Sequence, residues 1–133
     1  MDLDLMLRAY IECALWSSND ESDDRGGEPL DKNYSAEDLA PEAMAKMRAD
    51  CEAFLTANLA DIENGTAKDS DEYTAIERAG HDFWLTRNGH GCGFWDGDWP
   101  EPQASRLTEA SKAMGEVNLY VGDDGRIHQE FYE

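Results

Sequence analysis

The 133-residue chain carries 30 acidic and 11 basic residues, a net charge of −19, beside 41% apolar residues that include thirteen aromatics. That length suits one domain, residues 1–133, with a single core. The charge repels nucleic acid and anionic membrane and favours basic surfaces, so no direct contact with DNA, RNA or a bilayer is expected; the partner expected is a basic protein.

Leu3, Met6, Leu7, Tyr10, Ile11, Ala14 and Leu15 recur at helical spacing. Residues 3–17 are predicted as an amphipathic helix with Asp4, Arg8 and Glu12 outside. The opening MDLDLMLRAY is acidic where a signal peptide is basic, and no apolar run approaches a membrane span, so a soluble intracellular protein is expected. Residues 17–34, SSNDESDDRGGEPLDKNY, read as a loop rich in acids and turn-formers. Ser35 with Asp38 resembles a capping box, and Pro41 suits the first turn of a long helix. Met44, Met47, Cys51, Phe54 and Leu55 set that helix's stripe, which steps past Asn58 to Leu59 and Ile62 before Asn64-Gly65 ends it.

A short third helix is predicted from about Asp71 to Ala79, capped by Ser70 or Asp69 and closed by Gly80. Beyond it, DFWLTR and GCGFW flank Asn88-Gly89, a strong hairpin signal. A two-residue turn there faces Phe83 with Phe94, Trp84 with Gly93, Leu85 with Cys92, Thr86 with Gly91 and Arg87 with His90. Pro100 and Pro102 open a helix holding Leu107, Ala110 and Met114, with Gly115 as its stop. NLYV and RIHQEF form a second hairpin around Asp123-Asp124-Gly125, aligning Val121 with Ile127. The expected fold is α+β, in the order α-α-α-β-β-α-β-β. A helical layer over about 1–80 packs on a small antiparallel sheet of two hairpins, the second of which follows the helix within 81–133.

The stretch GHDFWLTRNGHGCGFWDGDW, residues 80–99, gathers two histidines, a cysteine and three aspartates. A small metal-binding protein or enzyme centred on His81, Asp82, His90 and Cys92 is one reading. The hairpin register argues against it: it sets the two histidines at opposite ends and turns Cys92 into an apolar patch, whereas zinc wants three or four converging ligands. Cys13, Cys51 and Cys92 are odd in number and widely spaced, which fits no disulfide framework. Asp20, Ser22, Asp24 and Asp31 fail as a calcium loop, because Arg25 stands where the sharp turn needs glycine. No cofactor motif is present, and neither a metal nor a catalytic residue is assigned.

The charge offers a second lead. Residues 20–31 hold six acids against Arg25, and the long helix adds Glu42, Asp50, Glu52, Asp61 and Glu63. A rigid acidic surface can imitate the phosphate array of DNA, about one charge per 1.7 Å of axis, and occupy a Lys/Arg groove. Asp20, Glu21, Asp23, Asp24, Glu28, Asp31, Glu42, Asp50 and Glu52 are the candidate partner-binding residues. Trp95 or Trp99, if exposed, would offer shape-led binding instead, and solubility alone is the bland account of the acids.

Across GHDFWLTRNGHGCGFWD and LTEASKAMGEVNLYVGDDGRI, with an N-terminal helix ending IECALWSS, the chain resembles a group of small acidic proteins encoded by bacteriophages and prophages. Cys92 departs from that group's small residue at the position. The resemblance implies a phage origin, a place in the host cell cytoplasm, and no catalytic residues. It also implies a class in which inhibitors of host defence, of anti-CRISPR or anti-restriction type, are common. The expected function is thus non-enzymatic inhibition of a nucleic-acid-binding defence complex, or else an accessory phage role without mimicry.

Overall fold

A computed structural model of the chain describes residues 3–20, 28–65, 74–89, 93–94 and 99–131. Helix α1 (Leu3–Ser17) follows the expected period and buries Met6, Leu7, Tyr10, Ile11, Ala14 and Leu15, with Ala9 and Cys13 widening the apolar arc. The chain then makes a two-residue antiparallel ladder, β1 (Asn19–Asp20) with β2 (Glu28–Pro29). Two 3-10 turns follow, Leu30–Lys32 and Ala36–Asp38. The Ser35 N–H donates to the Asp38 carboxylate at 2.8 Å, so the capping box closes the second of these turns.

Helix α2 (Pro41–Gly65) begins at the expected proline and buries Met47, Cys51, Phe54, Leu55 and Ile62. Asn58, off the stripe, turns its amide back to the Phe54 carbonyl at 2.9 Å.

Helix α3 (Ala75–Arg87) overturns the first predicted hairpin. Its cap is Thr74, which exchanges hydrogen bonds with Glu77; Ser70 and Asp69 lie outside the described residues. The helix runs seven residues past Gly80, where a stop was expected. Gly80 is a crossing point: a Cβ there would sit 2.5 Å from the Met6 carbonyl oxygen and 3.1 Å from the Ala9 Cβ of α1. Asn88 and Gly89 (φ 71°) then terminate α3 as cap and left-handed stop, the other role for which that dipeptide is suited. Phe83, Trp84, Leu85, Thr86 and Arg87 are therefore helical and are not strand partners of residues 90–94. The predicted partners Cys92, Gly91 and His90 lie outside the described residues.

Helix α4 (Gln103–Ala113) and its Gly115 stop (φ 84°) match expectation. So does the final hairpin, β3 (Val117–Val121) with β4 (Ile127–Phe131), in a register that pairs Val121 with Ile127. The fold is mixed α+β and mostly helical. Its core lies between helices, α1 packing most extensively on α3, while β4 rests against α2. Phe83 stacks on Phe54 with ring centroids 4.2 Å apart, and Phe54 in turn stacks on Phe94.

Gly80→Ala tests the crossing. A mid-helix glycine with open space around it would gain about 1 kcal/mol from alanine's helix propensity. A packed crossing loses roughly 1–3 kcal/mol to overpacking. The expected outcome is a lower urea midpoint at unchanged slope.

Candidate functional site

The described part of the segment between α1 and α2, residues 28–40, forms a strap that carries Glu28, Asp31, Glu37 and Asp38. It is pinned at both ends. Leu30 is fully buried, its N–H donating to the Ser18 carbonyl at 2.8 Å. At the far end Leu39 is buried, and the Ala40 N–H donates to the Ile127 carbonyl at 2.8 Å. Between these pins Asp31 and Glu37 are exposed, as is Glu28 just before them, while Leu30 and Leu39 take the inner positions. Lys32 pairs with Glu28 at 2.7 Å, both groups largely in solvent, a contact that contributes at most about 1 kcal/mol.

The other candidates divide. Glu21, Asp23 and Asp24 lie outside the described residues, as does the side chain of Asp20. Glu52 is exposed on α2. Glu42, 72% exposed, stands 3.6 Å from Nδ1 of His128 on β4. The Nε2 of His128 is 3.0 Å from Asp124, and that hydrogen bond holds the Asp124 carboxyl below its ordinary range.

Asp50 is a correction. Its carboxylate turns inward and accepts from Nη1 of Arg87 at 2.9 Å, so it cannot share in an outward acidic face. The Arg87 side chain is fully buried. It donates also to the Tyr10 hydroxyl (3.0 Å), to the Gly115 carbonyl from Nε (2.8 Å) and to the Met114 carbonyl (3.0 Å). Burial opposes the guanidinium charge, yet Tyr10 and Asp50 shift the group upward on balance. Burial drives the Tyr10 hydroxyl and the Cys51 thiol far above their ordinary ranges, so both stay protonated. Asp61 is also engaged, gripping Arg106 through both carboxylate oxygens. Two of the five acids on α2 are thus held by arginines.

The residues of the metal or enzyme reading do not assemble a centre within the described chain. His81 and Asp82 are neighbours on α3, and the Asp82 carboxylate accepts from the Trp99 indole at 2.7 Å. His81 is half-buried, which lowers its pKa. Among the described residues no three His, Cys, Asp or Glu side chains are placed to hold a metal ion. His90 and Cys92 lie outside those residues. Trp99 is buried at 4% exposure, which removes it as a surface contact; Trp95 is outside the described residues.

Sequence reasoning missed Trp16, 62% exposed at the end of α1. The signal was its phase: Asp4, Arg8, Glu12 and Trp16 fall four apart on the polar edge of the helix. Arg87 was missed in the converse way, seven residues beyond Gly80 on α3's inner face.

Comparison with protein-family models, curated proteins and solved structures finds no match to this chain. Among the described residues, no helix is long and apolar enough to cross a membrane.

The inward role of Asp50 is measurable against Glu52, two residues on. Asp50→Asn leaves a buried guanidinium short of its counter-charge and is expected to cost about 3 kcal/mol in urea unfolding. Glu52→Gln is expected to stay within about 0.5 kcal/mol of the parent.

Proposed function

We propose that this protein is a non-enzymatic inhibitor of phage or prophage origin, acting in the host cytoplasm. It binds the basic, nucleic-acid-contacting surface of a host defence protein or complex, of the anti-CRISPR or anti-restriction kind. The observation that carries the reading is the acid-dense strap pinned between Leu30 and Leu39. Residues 28–42 hold five acids against Lys32 alone. Holding the exposed Asp31 and Glu37 in place before binding lowers the ordering cost that a floppy acidic tail would bear on association.

Glu28, Asp31, Glu42 and Glu52 supply exposed charge in this reading. Asp20, Glu21, Asp23 and Asp24 extend the same stretch of sequence, and Asp50 drops out. A partner groove built to neutralise phosphates presents lysines and arginines in a dense array. Complementary fields of this kind accelerate encounter and make binding salt-sensitive. The protein is thereby a competitor of nucleic acid for one surface and needs no chemistry of its own.

The quadruple variant Glu28→Lys, Asp31→Lys, Glu42→Lys and Glu52→Lys changes charge at exposed positions only. Immobilised parent protein is expected to capture nucleic-acid-binding proteins from host lysate at low salt and to release them when duplex DNA is added. The variant is expected to capture them at least tenfold less well, with a flatter salt dependence. Equal capture by parent and variant would sink the mimicry reading and leave the acids to solubility.

A further inference from the structure

A groove of about 500 Å³ runs between α1 and the strap. Its floor is the buried ridge Leu7, Ile11 and Leu15, and its far wall is Tyr34 with Ala36. From Leu7 to Leu15 the floor rises eight steps of helix, about 12 Å, or just over two turns. That matches the reach of a docked helix whose apolar residues fall at i, i+3, i+4 and i+7.

The rim is acidic on balance. Asp4, Glu12 and Asp31 line the groove beside the guanidinium of Arg8, and Asp4 also pairs with Arg48 at 3.1 Å. One turn beyond Glu12, on the same edge of α1, stands the exposed indole of Trp16. Tryptophans beside an apolar cleft are the residue type most enriched among energetic hot spots. A pure polyanion mimic needs neither an apolar floor nor this side chain.

We infer that the groove docks a basic amphipathic helix of the partner protein, an inference resting on the partner-binding reading above. The helix sets its apolar edge on Leu7, Ile11 and Leu15 and packs against Trp16. Its lysines or arginines flank that edge and reach Glu12 and Asp31. The strap acids then select for charge, and the groove selects for an amphipathic pattern within that charge.

Two synthetic peptides test this. One is a lysine-rich helix with leucines at i, i+3, i+4 and i+7; the other carries glutamine at each leucine position and has the same charge. Calorimetric titration in 150 mM and 500 mM NaCl is expected to show the leucine peptide binding roughly tenfold or more tightly, about 1.4 kcal/mol or more, with that preference retained at high salt. Trp16→Ala, and separately Ala36→Trp to crowd the exposed wall, are each expected to weaken the leucine peptide about fivefold or more and leave the glutamine peptide unchanged. Circular dichroism checks that both variants keep the parent fold.

Equal binding of the two peptides, lost together at 500 mM NaCl, would overturn the groove while leaving the charge-led reading intact. A leucine preference that survives in both variants would overturn it too, by locating the apolar contact elsewhere. Failure of both peptides to bind at 150 mM NaCl would take down the groove and the acidic surface together.

Discussion

Arg87 sits at the meeting point of four helices with its guanidinium fully enclosed. From the end of α3 it reaches Tyr10 on α1, Asp50 on α2 and the two carbonyls that follow α4. Its planar fork satisfies four acceptors at fixed angles, something a lysine ammonium cannot reproduce. An enclosed cation ordinarily carries a heavy desolvation cost. Here the surrounding chain has a net charge of −19, and that field favours a positive charge at the centre. Phe83, one turn earlier on α3, lies beneath the guanidinium at 5.1 Å and adds its ring face. The relative setting of the helices, and with it the position of the strap on α1, follows from this contact and the Gly80 crossing.

Much of this frame was legible in the residues. Helices α1 and α4 carry a clean 3.6 period, α2 one that shifts at Asn58, and each has a recognisable boundary. The β3–β4 register follows from a three-residue turn ending in Gly125, whose φ is 77°. The second half of α3 was not legible, for a definite reason. Phe83, Trp84 and Leu85 form a continuous apolar run, which suits a buried helix and a strand alike, and Asn88-Gly89 serves either as a hairpin turn or as a helix stop. The deciding contacts are distant in sequence: Gly80 on Met6, and Arg87 on Tyr10 and Asp50. Local pattern cannot weigh them.

The candidate surface divides along the same line. Glu28, Asp31 and Glu52 are exposed as polar residues at the outer phase should be. Asp50 lies between Met47 and Phe54 in phase, on the flank of the apolar stripe, and only its arginine 37 positions away explains why it faces inward. Asp82 looked like a ligand beside His81 until Trp99 came to meet it. The groove was invisible because its two walls come from separate stretches of chain, although the polar phase of Trp16 already marked one of them.

The hydrogen bond from Ala40 to Ile127 orders events during synthesis. The acidic strap leaves the ribosome far ahead of the hairpin to which its end is tied. Until β4 has formed, the strap lacks its tie at Ala40, and its carboxylates have no complete frame to hold them apart. The acids therefore become a shaped surface late, when the distant hairpin closes on them. A growing chain thus carries its charge well before that charge has a fixed arrangement.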